Sequence, residues 1–214
     1  MNRIISMTLV AAGMAVLPAS ASEVGILVDK QIGASSAVPL LLGQTDVKAV
    51  SPTGFGIRGA YTLLDLKVAE LGLSATYHSK SESDLDFSSG ASAGKAGSEY
   101  IAIGAQVDWK FLVNLHVGVD MRREKISNDT SFAIPTYGYV NAGDTTITRP
   151  WLAAGIGFSV PLPVVSPFVR LEAAYALKTY SLPGASVTTP DRSDDFRKVL
   201  APKYQIALYG GIRF

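Results

Sequence analysis

The final eleven residues of the chain alternate strictly in character. Tyr204, Ile206, Leu208, Gly210, Ile212 and Phe214 occupy one phase, and Gln205, Ala207, Tyr209, Gly211 and Arg213 the other. A period of two over this length describes a strand with one apolar and one polar face. Seven earlier segments repeat the pattern. Val24, Ile26 and Val28 share a face within 23–32, and Phe55, Ile57, Tyr61 and Leu63 within 53–64. Leu71, Leu73 and Tyr77 do so in 69–78, Ile101, Ile103 and Trp109 in 100–109, and Leu115, Val119 and Met121 in 113–122. Leu152, Ile156 and Phe158 mark 151–160, and Val169, Leu171 and Tyr175 mark 167–178.

Short and long connections alternate between these eight segments. Tight turns are expected at 65–67, 110–111 and 161–163, and long polar loops of about 20 residues at 33–52, 79–98, 127–146 and 181–203. An up-and-down transmembrane barrel has this organisation, with short turns facing the periplasm and long loops facing outside. The expected fold is therefore all-β: an eight-stranded antiparallel up-and-down transmembrane β-barrel. An even strand number brings both termini to the periplasmic side.

The start of the chain reads as an export signal. Arg3 precedes an apolar stretch from Ile4 to Leu17, and Ala19-Ser20-Ala21 is a small-residue cleavage pattern. The stretch is shorter than the roughly 20 residues a spanning helix requires. Residues 1–21 are thus expected to be a cleaved leader and 22–214 the barrel domain. The leader carries one of the 19 basic residues, so 18 remain against 18 acidic ones. That neutrality gives no electrostatic basis for nucleic-acid binding. The absence of cysteine excludes a disulfide framework and thiolate metal sites.

Aromatic positions supply a length scale. Ten residues outward from a short turn or from Phe214 lie Phe55, Tyr77, Tyr175 and Tyr204, while Trp109, Phe111 and Phe214 stand at the opposite edge. Ten tilted strand residues rise about 25 Å, the height of a barrel's lipid-facing band. The two sets are expected to form aromatic girdles at the two water interfaces.

The alternating strands and the terminal aromatic together resemble the small outer-membrane barrels of the OmpA, OmpX and OmpW group. This resemblance implies a bacterial outer-membrane location and a monomer in contact with outer-membrane lipid and lipopolysaccharide. It also implies engagement of the barrel-assembly machinery through the strand ending in Phe214. The separate peptidoglycan-binding domain of OmpA-type proteins is not expected. The resemblance fixes location and fold more than activity.

Function must then lie in the lumen or the loops. The inward phase carries Arg58, Glu70, His78, Asp108, His116, Asp120, Arg122, Arg170, Glu172, Lys178 and Arg213. An eight-stranded barrel is only wide enough for its own side chains, and buried charges there must pair. A plugged lumen held by ion pairs is the expected reading. Inward glycines and alanines leave the alternative of a narrow channel for small solutes or small hydrophobic molecules.

A lipid A-modifying enzyme is a weaker alternative. Barrel deacylases use a His-x-Ser pair on one strand face, whereas Ser79 directly follows His78 and so takes the other phase. His116 is flanked on its own face by Asn114 and Gly118. No catalytic residue, cofactor or metal site is expected, since no phosphate-cradling loop, zinc ligand set or redox motif occurs. Asp84 with Asp86, and Asp191 with Asp194 and Asp195, read as solvated loop acids. The serine- and glycine-rich segment 88–98 reads as mobile. The aromatic third loop (Phe132, Tyr137, Tyr139) and the charged fourth read as surfaces open to an unknown ligand.

Overall fold

The computed structural model describes residues 22–33, 35–40, 43–49, 52–87, 90, 92–134, 138–182 and 191–214. The expected leader lies outside them. The elements run β1 (Ser22–Ile32), β2 (Ser35–Leu40), β3 (Gly43–Ala49), β4 (Thr53–Leu66), β5 (Ala69–Phe87), β6 (Ser92–Trp109) and β7 (Asn114–Asn128). There follow β8 (Phe132–Ile134), β9 (Gly138–Val140), β10 (Gly143–Ser159), β11 (Ser166–Ala176), helix α1 (Ser193–Leu200) and β12 (Tyr204–Arg213).

Eight of these strands close a barrel in the antiparallel order β1-β4-β5-β6-β7-β10-β11-β12, and β12 returns to β1. The closing seam pairs Glu23 with Arg213 and Ile32 with Tyr204, so the last strand of the chain is zipped along the first. Within the lipid-facing belt closure leaves no unpaired strand edge among the described residues, and a hydrocarbon environment would penalise one.

The outward phase is apolar around the whole wall. Ile26, Ile57, Leu73, Ile103, Val119, Ile156, Leu171 and Leu208 are all exposed, Ile103 by 67%. A soluble protein rarely exposes a contiguous apolar patch beyond a few hundred Å². A continuous apolar belt on a closed barrel is instead a lipid-facing surface. Phe55, Tyr175 and Tyr204 stand exposed along its outer edge, with Tyr77 half-buried, and the rings of Tyr175 and Tyr204 lie 5.2 Å apart. Phe111 and Phe214 are exposed at the other edge beside half-buried Trp109.

The connections differ from the sequence reading. Parts of the segments expected as long polar loops are extensions of the wall, above all 79–98. β5 and β6 stay paired from Ala69↔Trp109 out to Asp86↔Ser92, so most of 79–98 is hairpin, including Ser92–Ser98. Asp84 and Asp86 are strand residues. β7 and β10 pair from Gly157↔Asn114 to Gly143↔Asn128.

Two bulges interrupt the alternation, and the second lies where this extension begins. One in β4, between Thr62 and Leu64, turns consecutive leucines 63 and 64 outward. The other, between His78 and Ser81, moves the inward phase of β5 from even to odd positions, so that Ser81 and Leu85 are buried. A bulge inserts one unpaired residue and resets which face each later side chain takes. The first connection holds the β2–β3 hairpin, whose β3 pairs with the outer end of β5. The third holds the small β8–β9 hairpin. The turns also sit slightly off their expected places: 67–68, 110–113 and 160–165.

Candidate functional site

Inward side chains fill the barrel from end to end, in layers of mixed charge. Next to the short turns, Arg213 Nη2 reaches Glu23 Oε2 at 2.9 Å, and its Nη1 lies 3.5 Å from Glu70. Glu70 also meets Lys110 at 2.7 Å. One layer outward, Arg170 contacts Asp108 at 2.9 Å and Glu172 at 3.4 Å, and His116 Nδ1 lies 3.0 Å from Asp108.

The central contact joins β4 to β11 across the lumen. Arg58 Nη1 donates to both carboxylate oxygens of Glu172, at 2.7 and 2.6 Å, and Arg58 Nε donates to Thr76 at 3.1 Å. The guanidinium also lies 5.0 Å from the ring centre of Tyr209. Charge-assisted bonds of this kind are short and strong where water is excluded. Small inward residues make the fit possible. A Cβ on Gly104 would sit 2.1 Å from Asp120 Oδ1, and one on Gly25 would meet the Tyr209 ring at 2.8 Å.

Further outward the network turns aromatic. His78 Nε2 lies 2.7 Å from Asp29, and its ring stacks on Tyr100 at 4.7 Å. Arg122 donates to Gln205 at 2.6 Å and sits over Trp151 at 4.1 Å and Tyr100 at 4.6 Å; Asp120 is 3.6 Å from it. Gln205 bridges Asp29 and the Tyr100 hydroxyl. Above them, Arg149 pairs with Glu124 at 2.7 Å, Trp151 Nε1 donates to Glu124 at 2.5 Å, and Arg149 also donates to the Pro202 carbonyl.

A second seal closes the outer end. Phe196, Leu200 and Ala201, on and just after α1, pack among Leu85, Ala93, Ala96, Ile126, Val140 and Ile147 at the mouth of the barrel. The ring of Phe132 meets Phe196 edge-on at 5.3 Å. Arg197 ties the helix to the wall by donating to Asn128 at 2.7 Å and to the Asn141 carbonyl at 2.6 Å. Asp191 accepts from the Ser193 hydroxyl at 2.5 Å and from the Ser193 backbone N–H at 2.9 Å, and these bonds hold its carboxyl below the ordinary value. Between cap and network lies a cavity of about 20 Å³, lined by Gln31, Ser98, Leu200 and Pro202 among others. It has room for a water and for nothing larger.

Of the inward residues named from sequence, Arg58, Glu70, Asp108, His116, Asp120, Arg122, Arg170, Glu172 and Arg213 lie in this network. Lys178 does not. It is exposed beyond the end of β11, where its ammonium lies 5.4 Å from the Tyr180 ring centre. The strand ends two residues earlier, so the inward phase no longer governs its direction.

The structure adds Glu23, Asp29, Glu124 and Arg149. Glu23 and Asp29 share the phase opposite Val24, Ile26 and Val28 and were readable from that alternation. Glu124 and Arg149 continue the inward phases of Arg122 and Trp151 past the points where strands were expected to end. The Ser79 hydroxyl donates to the Phe55 carbonyl at 2.8 Å, while the His78 ring is held among Asp29 and Tyr100. Tyr137 lies outside the described residues. Among the described residues no group of three or more His, Asp or Glu side chains is arranged to hold a metal ion.

No family model and no curated protein matches the chain by sequence. Solved structures do match in shape. The outer-membrane protein OprG from Pseudomonas aeruginosa superposes with a TM-score of 0.50 at 11% identity, over 90% of this chain and 93% of that one. Neisserial surface protein A gives 0.46 at 14%, covering 90% and 95%. The attachment invasion locus protein Ail of Yersinia pestis gives 0.45 at 14%, covering 92% and 100%. The fold is that of the eight-stranded outer-membrane barrels. At these identities the likeness is one of fold.

Proposed function

We propose that this protein is a non-conducting, non-enzymatic barrel of the bacterial outer membrane, serving envelope integrity or surface interaction through its outer end. The observation that carries this reading is the double closure of the lumen, by the Arg58–Glu172 layer in the middle and by the Phe196 side of α1 at the mouth. A solute path would have to break both. In this reading both termini are periplasmic, the barrel is monomeric, and the strand ending in Phe214 is what the assembly machinery engages. Lipid and lipopolysaccharide surround the wall.

The strand-paired outer extension, closed by the packed helix, supports the contact role. Asp191 and Asp194 are exposed around an open concavity of about 370 Å³ bounded also by Asn141, Ser193 and Arg197. Binding is commonly placed on such connections held by a stiff scaffold. Planar-bilayer recording of the refolded protein tests the proposal: no steady current is expected, and a stable ohmic conductance would replace it with the channel reading.

A further inference from the structure

We propose that the short-turn end of the barrel is itself a lipid-contacting surface, seated in the phospholipid interface of the inner leaflet rather than projecting into the periplasm. This rests on the lipid-facing belt and, for the choice of leaflet, on the orientation proposed above, but not on the sealed lumen, so a conductance result leaves it untouched.

The turn tips are apolar. Leu112 is 94% exposed and Val164 82%, and Leu66, Val68, Phe111 and Leu162 are exposed beside them. Tips that project into water have no reason to carry such side chains at all three turns. The height of the belt gives an independent argument. On β7 the last apolar outward residue is Met121, and exposed Arg123 follows, with no ion pair among the described residues. Ten residues back from Met121 is Phe111. Ten residues from Leu152 on β10 is Leu162, and ten from Tyr175 on β11 is Val165. Ten from Tyr77 on β5 is Lys67. Each count spans the roughly 25 Å of a barrel's apolar band. Each therefore reaches a turn, with no strand left over to carry the turn into the periplasm.

Charge at this end fits a headgroup zone. Lys110 is balanced by Asp65 at 2.6 Å and Glu70 at 2.7 Å. Exposed Lys67 has no ion pair among the described residues, and a lysine stem can run along apolar surface while its ammonium reaches a lipid phosphate. Trp109, Phe111 and Phe214 stand at the same level, the interfacial preference of aromatic rings. The apolar tips are continuous with the apolar wall, so one partner, the phospholipid bilayer, covers both.

The chain has no cysteine, so a single introduced thiol takes a unique spin label. Labels at Leu112→Cys and Val164→Cys, in phosphatidylethanolamine–phosphatidylglycerol vesicles, are compared with Ile103→Cys in the belt and Asn141→Cys at the outer end. Collision with oxygen and with a water-soluble nickel chelate reports depth. An oxygen-to-nickel ratio at the two tips several-fold above that at Asn141→Cys is expected. A ratio equal to that at Asn141→Cys would place the tips in water and overturn the proposal. Dipolar broadening between tip labels would overturn it in favour of a second copy of the chain. The tip side chains are exposed and pack on nothing essential, so the variants fold as the parent does.

Discussion

Converting Glu172 to glutamine tests whether the lumen is a dry plug. Arg58 and Glu172 are both nearly inaccessible, and both oxygens of the carboxylate accept from one guanidinium nitrogen. Glu172→Gln leaves Arg58 with Thr76 at 3.1 Å, the face of Tyr209 and the more distant carboxylate of Asp120, none of which replaces the bidentate contact. Arg170 keeps Asp108 at 2.9 Å, so the stranded charge is chiefly that of Arg58. Breaking a buried pair by removing one partner costs about 3–5 kcal/mol. The glutamine oxygen still accepts one bond, so the lower end applies, about 3 kcal/mol.

Reversible urea unfolding in lipid vesicles measures this as a lowered midpoint. The double variant Arg58→Met/Glu172→Leu removes both charges and is expected to cost less than Glu172→Gln alone, because well-packed apolar pairs replace buried ion pairs at little or no loss. A loss below about 0.5 kcal/mol for Glu172→Gln, together with a steady parent current whose ion selectivity that substitution alters, would mean that the charges are hydrated. The plug would then be refuted.

The lipid face and the cap give further outcomes. Leu73→Arg, on an exposed mid-belt position, is expected to destabilise by about 2–4 kcal/mol, and if it proves as mild as Leu73→Ala the outward assignment of β5 fails. Phe196→Ala removes the side chain that fills the mouth and is expected to cost about 3–5 kcal/mol, confined to the cap. Faster tryptic cutting at Lys198 with an unchanged barrel midpoint would report it, and unchanged cutting would contradict the packing. An impermeant maleimide on intact cells is expected to label Asn141→Cys and spare Lys67→Cys; the reverse pattern would invert the orientation. The Ser193 bonds lower the folded value of Asp191, so their contribution is complete above its unfolded value and is lost as pH falls through the lower folded value. The Ser193 amide resonance should therefore titrate below the ordinary carboxylate range, and a midpoint at the ordinary value would remove this capping contact.

What the sequence determined by itself was the wall within the membrane. Lipid on one side and packed polar side chains on the other impose a period of two, and that period is local, so Val117 and Ile156 declare their direction without reference to any partner. Strand number, antiparallel order and the inward phase of Arg58 or Glu172 follow from it. Beyond the membrane the outer face meets water, and the contrast between faces disappears. Lys80, Glu82 and Asp84 look like loop, although backbone pairing with β6 continues past them. The bulge between His78 and Ser81 removed the remaining signal by shifting the phase.

Only tertiary structure decided which charges meet. Arg58 and Glu172 are 114 residues apart, and their contact depends on barrel closure and strand stagger rather than on spacing. The cap was equally out of reach. Ser193–Leu200 is a short charged segment whose helical form is stabilised by Phe196 and Leu200 entering a mouth that exists only once eight strands have closed. Lys178 shows the converse: its sequence phase pointed inward, but the strand ended at Ala176 and the side chain turned to the surface.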